Sequence, residues 1–141
     1  MSFRPDALRG AGLGAAVGGQ VDYRLARNAV VSEYRKGRLS RLDVCDAHPE
    51  LLRAALNVGE QSREDCPICE EDKVRLVSYA FGSRLPPSGT CVTSRNELAR
   101  LSRERDLNCY VVEVCPSCSW NHLAQQFSVA GRRSRSKHQT T

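Results

Sequence analysis

The sequence lacks any run of about 18 apolar residues, and its longest aliphatic stretches are broken by Arg, Asp or Glu, which excludes a membrane-spanning helix. It also lacks a convincing export signal. The nearest approach is Arg4 and Arg9 followed by Ala11 to Gly19, where Gly10, Gly12, Gly14, Gly18 and Gly19 leave too little hydrophobicity. There are three histidines, no serine elbow and no Gly-rich phosphate loop, so the usual material for hydrolysis or phosphoryl transfer is missing. At 141 residues the chain can build one core but not two. The seven cysteines are an odd number, and with no export signal they point to a reducing compartment, so a soluble cytoplasmic protein is expected.

The formal net charge of +5 is unevenly distributed. Arg132, Arg133, Arg135 and Lys137 form an acid-free basic tail, while residues 21–131 carry equal numbers of basic and acidic side chains. Phosphate contact through charge is therefore expected mainly from the tail.

Half of the glycines fall in residues 10–19, with no apolar periodicity to offset the entropy of ordering them, so residues 1–20 read as a disordered leader. The abrupt change of pattern at Val21 is also what a natural start near that position would produce. From Val21, the residues Tyr23, Ala26, Val30 and Tyr34 recur at helical spacing, and Arg24, Arg27, Arg35 and Arg38 form a basic stripe beside them. Gly37 marks the expected end of that helix. A second helix is expected from the run Asp46-Ala-His-Pro-Glu50, with Pro49 preset for the first turn, and it should stop at Gly59. Residues 21–60 thus form a helical N-terminal part. Lys73 to Phe81, Leu107 to Val114 and Trp120 to Val129 read as three strands. Ser94 and Glu97 form a capping box that opens a helix reaching to about Arg105.

The repeated element is short: Cys66-Pro-Ile-Cys69 and Cys115-Pro-Ser-Cys118. Two residues between cysteines let both sulfurs enter one tight turn, and two such turns supply four metal ligands. Each pair adjoins a strand, the layout of a zinc ribbon, although 45 residues lie between Cys69 and Cys115 where a compact ribbon has about 15 to 20. The inserted strand, proline loop and helix fill that gap. A closed set of four thiolates favours a structural Zn2+, with iron as the alternative metal. Glu70 and Ser119 stand where iron-binding knuckles commonly have glycine. Thiols in two unrelated turns or redox-active pairs are the competing reading, but for a redox pair neither segment is followed by a helical pattern. Cys45, Cys91 and Cys109 are expected to be structural. Cys45 and His48 make a C-x-x-H half-site with no partner half. Trp120 is expected to anchor the core or an interface beside the metal, and His122 to hydrogen-bond locally or to orient a thiolate from behind the ligands.

A zinc deaminase pattern of H-x-E followed by P-C-x-x-C is imitated by His48-Pro-Glu50 and Cys66-Pro-Ile-Cys69. No proline precedes Cys66, a strand pattern follows Cys69, and the second pair would be orphaned.

The segments Asp43-Val-Cys-Asp46, Leu51-Leu-Arg-Ala-Ala55, Cys66-Pro-Ile-Cys69, Ser78-Tyr-Ala-Phe-Gly82, Val111-Val-Glu-Val-Cys115 and Trp120-Asn-His-Leu123 resemble a family of small uncharacterised actinobacterial proteins with a zinc-ribbon-like C-terminal half. The resemblance covers about residues 21–129. It implies that architecture and no activity. The expected fold is α+β: two N-terminal helices packed on a small antiparallel zinc-ribbon-like sheet over residues 61–130, with an inserted helix and a disordered basic tail at 131–141. The expected function is a noncatalytic zinc-binding adaptor docking on a protein or ribonucleoprotein partner. The alternatives are direct nucleic-acid binding, through Arg24, Arg27, Arg35 and Arg38 with the tail, and a deaminase-like enzyme.

Overall fold

The computed structural model describes residues 17–131. The leader up to residue 16 and the tail from residue 132, with Arg132, Arg133, Arg135 and Lys137, lie outside the described residues. The fold is α+β. Its elements run β1 (Val17–Asp22), α1 (Arg24–Arg35), α2 (Arg41–Val44), α3 (Pro49–Val58), β2 (Glu60–Asp65), β3 (Lys73–Phe81), β4 (Thr90–Val92), α4 (Arg95–Ser102), β5 (Leu107–Val114) and β6 (Asn121–Val129).

The strands form one six-stranded sheet in the order β1-β6-β5-β3-β2, with β4 continuing along the outer edge of β3, and every pairing is antiparallel. Sequence patterning predicts three of these strands. β2 escapes it because Glu-Gln-Ser-Arg-Glu-Asp has no apolar alternation, and a strand held at an edge by backbone hydrogen bonds needs none. β1 escapes because its glycines read as leader. The expected disordered segment therefore ends inside a strand, and the helix expected from Val21 starts at Arg24.

Alternation along β5 separates the two faces of the sheet. Leu107, Cys109 and Val111 join Ala80, Phe127, Val129 and Leu98 of α4 in one core. Val114 faces the other way and packs with Val77 and Ala55 of α3. On the α4 side, α1 covers the end of the sheet where β3 begins and β5 ends, placing Val31 against Val74 and Trp120.

Helix α1 shows why its pattern misleads. The inward positions are Tyr23, Arg27, Val30, Val31 and Tyr34, while Ala26 faces solvent and Leu25 is 85% exposed. A charged residue occupies the central buried position, so the helix is turned relative to what apolar spacing predicts. The start of α1 is pinned by a bulge in β6, where the register against β5 shifts between Val111 and Val112 and the extra residue Ala124 turns its carbonyl to accept from the Tyr23 amide at 3.0 Å. The Arg24 amide donates to the Asp22 carboxylate at 2.8 Å.

The other helices start as their caps dictate. Ser40 and Asp43 cap α2 reciprocally, and the Ser94 hydroxyl accepts from the Glu97 amide at the start of α4. At α3 the cap is His48, whose Nδ1 accepts from the Glu50 amide at 3.1 Å, with Pro49 in the first turn.

Candidate metal centre

Both cysteine turns are hairpin turns at one end of the sheet. Cys66 to Cys69 joins β2 to β3, and Cys115 to Cys118 joins β5 to β6. Because β3 and β5 are antiparallel neighbours, paired from Arg75 opposite Val114 to Phe81 opposite Asn108, the start of one and the end of the other meet. The 45 intervening residues thus return the chain to where it left.

The two turns share their backbone design. The Cys66 amide donates to the Asp72 carbonyl and the Cys115 amide to the Trp120 carbonyl, each at 2.8 Å. The Glu70 amide reaches back to the Cys66 carbonyl and the Ser119 amide to that of Cys115. Glu70 and Ser119, which follow the second cysteine of each turn, both hold positive φ, 59° and 74°. That left-handed conformation favours glycine, and two non-glycine residues hold it at matching places because the turn demands it. Amides also point at sulfur: Ile68 to Cys66 at 3.4 Å and Glu71 to Cys69 at 3.5 Å, with Ser117 and Cys118 amides on Cys115 and the Trp120 amide on Cys118. Such donors favour the ionised thiolate.

The four sulfurs of Cys66, Cys69, Cys115 and Cys118 lie within 4.8 Å of one another. Cys66 and Cys118 are 3.6 Å apart, and Cys69 and Cys115 3.7 Å. Ligands on metal–sulfur bonds of about 2.3 Å stand about 3.8 Å apart at the corners of a tetrahedron, whereas a disulfide needs about 2.05 Å. The donor set and its spacing fit a divalent metal. Without a cation the set does not ionise as a whole: burial pushes Cys115 up to about 11 and raises Cys118, while Cys69, despite its burial, is held below the ordinary thiol value by the Glu71 amide and the neighbouring thiols, and further sulfurs at such distances repel as anions. A bound cation reverses that balance and makes four thiolates tolerable.

Behind the sulfurs lies a buried polar network. Glu113, 5% exposed, accepts from Arg27 Nε at 3.1 Å, from Arg27 Nη2 at 3.2 Å and from the Trp120 indole N–H at 2.8 Å. Trp120 is fully buried and stacks on His122 with centroids 6.0 Å apart, and His122 Nδ1 lies 2.7 Å from the Leu123 carbonyl. Arg27 is therefore an interior ion-pair partner and not part of an exposed basic stripe. Arg24 and Arg38 remain on the surface, paired with Glu64 and Glu33, and Arg35 is exposed. The stripe that spacing suggests is partly neutralised by neighbours that are distant in sequence or on the next turn.

Sequence reasoning gave Cys45 a structural role, or a C-x-x-H half-site with His48, and did not foresee its place beside the four sulfurs. Cys45 follows α2, half-buried, and its thiol donates to the Cys118 sulfur at 3.5 Å. The approach depends on the Ala47 amide donating to the Ser119 carbonyl at 3.1 Å, a contact between segments far apart in sequence. Cys109 lies in the apolar core with its thiol pushed up to about 12 by burial, and burial raises Cys91 too.

Residues 17–141 match a family of unknown function, DUF5318. The chain belongs to the DUF5318 family. Its relatives include the uncharacterized proteins Mb0050 of Mycobacterium bovis and Rv0049 of Mycobacterium tuberculosis, each 40% identical over 114 residues that span 80% of this chain and 83% of theirs. No solved structure matches the chain. Membership in DUF5318 agrees with the resemblance to small actinobacterial proteins and supplies no activity.

Proposed function

We propose that this DUF5318 protein is a noncatalytic adaptor whose zinc-ribbon-like end is closed by one structural Zn2+. The observation that carries the reading is the convergence of two separate cysteine turns into one set of four sulfurs at tetrahedral spacing. Cys66, Cys69, Cys115 and Cys118 would hold the metal, which when bound supplies cross-linking between two hairpins. Four protein ligands leave no open position at which water is activated, which favours a structural role. The use of His48 as a helix cap also speaks for the noncatalytic reading over the deaminase-like one. Zinc thiolates and free thiols suit a reducing cytoplasm. Among the described residues no helix is long and apolar enough to cross a membrane.

The adaptor role is supported by side chains that the fold leaves outside. Leu25 of α1 and Leu42 of α2 are 85% and 84% exposed, and Leu56 and Val58 of α3 are exposed as well. Large apolar side chains on helices next to a rigid metal end suit a protein or ribonucleoprotein partner. Elemental analysis of purified protein tests the metal, with one zinc per chain expected and a metal-free protein refuting it. Affinity purification of the tagged native protein, repeated with Leu25→Ser and Leu42→Ser together, tests the adaptor. A reproducible partner lost in the double variant supports it, and an unchanged recovery refutes docking through these residues.

Direct nucleic-acid binding is the second reading, favoured by the acid-free run from Arg132 to Lys137. Affinity for RNA or DNA that falls steeply with salt and disappears on deleting residues 132–141 would assign it to nonspecific tail contact.

A further inference from the structure

Among the described residues, one thiol outside the set of four touches it. Cys45 Sγ stands 3.5 Å from Cys118 Sγ, at the same separation as the ligand sulfurs from each other, yet it does not lie within reach of all four. A fifth ligand has no place in a tetrahedron, and Cys45, packed at the edge of the core around Val31, Val44 and Trp120, stays partly exposed. The contact is also held firmly. The start of α2 is closed by the reciprocal capping box of Ser40 and Asp43, the Ala47 amide is tied to the Ser119 carbonyl, and the Asn121 side-chain amide donates to the Asp46 carboxylate at 3.0 Å. Segment 45–47 is thereby strapped along the second cysteine turn.

The geometry points to Cys45 as an oxidation site that takes hydrogen peroxide as co-reactant and captures Cys118 in a disulfide, opening the metal centre. The inference rests on the metal reading above. A metal-bound thiolate would share its charge with the cation, whereas the Cys45 sulfur is held by no metal, so once its S–H proton passes to the departing peroxide oxygen it reacts with its charge unshared. It gives two electrons to the peroxide O–O bond and takes up one oxygen as a sulfenic acid, while the other oxygen leaves as water. The Cys118 sulfur then displaces hydroxide from Cys45 as the S–S bond forms, and as a disulfide sulfur it would no longer serve as a metal ligand. Two sulfurs are oxidised, one peroxide is reduced, and the products are one disulfide, one water and one hydroxide. The sulfurs must close from 3.5 Å to about 2.05 Å, a movement of about 1.5 Å that side-chain rotation can supply. Three thiolates then remain, too few to close the site. Half-exposure at Cys45 admits a small peroxide, while the cores around Cys109 and Cys66 do not.

The test uses the full chain as purified, its zinc first measured, then treated with hydrogen peroxide while a chromogenic chelator reports metal release and mass spectrometry maps disulfides. The expected result is one equivalent of zinc released with a Cys45–Cys118 disulfide, reversed by a thiol reductant. Cys45→Ser should bind zinc normally and release it at least tenfold more slowly. Release at the wild-type rate from Cys45→Ser, or disulfides confined to Cys66–Cys69 and Cys115–Cys118, would overturn the inference and leave the metal reading intact. A wild-type protein with no zinc before treatment would overturn the metal reading and this inference with it. The disulfide map comes from the unmutated chain, so poor folding of the variant does not remove the test.

Discussion

The two ends of the sheet are held together by different physics. At one end, β5 and β6 pack through Leu107, Phe127 and Val129 against Leu98 of α4, a core of fully buried hydrocarbon. At the other, the thiols, the Arg27–Glu113 pair and Trp120 sit among Val31, Val44, Ile68 and Val74 between α1 and the sheet, so aliphatic packing is interrupted by sulfur and charge. Apolar burial at about 25 cal/mol per Å² stabilises the first end without help. The second gathers buried sulfurs and charges that are costly unless paired, so its stability rests on complete hydrogen bonding and, on the proposed metal reading, on a cation. A small domain that devotes half its sheet to such groups makes that half conditional.

The strongest way to break the comparison is to deny the thiol end its proposed metal. Structural zinc sites contribute about 10 to 16 kcal/mol, comparable with a domain's whole stability, so chelation or Cys66→Ser should unfold the thiol end. Hydrogen exchange should show lost protection in β2, the start of β3 and the β5–β6 turn before the strand ends near Leu107 and Val129. Uniform loss would show that the two ends form one cooperative unit. Phe127→Ala attacks the opposite end and should cost about 3 to 5 kcal/mol in a denaturant titration while zinc content stays at one per chain. Glu113→Gln sharpens the contrast. It leaves Arg27 buried without its counter-charge and should cost about 3 to 5 kcal/mol, whereas a loss below about 1 kcal/mol would mean that water solvates the pair.

The smallest expected effect is a pH dependence. Asp72 joins the two cysteine turns by accepting from the Ser117 hydroxyl at 2.7 Å, and this bond, with the Lys73 amide, holds its carboxyl below the ordinary carboxylate value. A lowered folded pKa adds stability that is present at neutral pH and is lost as the pH falls below about 4 toward the lowered value. Ser117→Ala should move the Asp72 titration back toward the ordinary value in a carboxylate NMR experiment. An unchanged titration would show that the Lys73 amide alone sets it.

Local chemistry made part of this structure legible in advance. Ser94 with Glu97, and Pro49 in a first turn, mark helix starts wherever the chain goes, because their bonds close within four residues. Strands β3 and β5 announce themselves through β-branched and aromatic alternation. The cysteine turns are readable for the same reason: a C-x-x-C segment is a closed local motif, and two copies beside strands suggest one site. β2 and β1 were hidden because an edge strand of charges or glycines is defined by its partner and not by its own side chains. The basic stripe was overread, since no local rule shows that Arg27 meets Glu113 across 86 positions of sequence.

The sequence by itself determined that the chain carries two matched thiol turns, one core's worth of apolar residues and helices with well-marked starts, because each of these depends on neighbours within a few residues. Tertiary structure alone decided which face of α1 turns inward, which arginine becomes an interior charge and that Cys45 comes to rest against Cys118. Those outcomes depend on strand register and on one bulge at Ala124, which orient groups far apart along the chain, and such pairings leave no periodic trace in the segments they join.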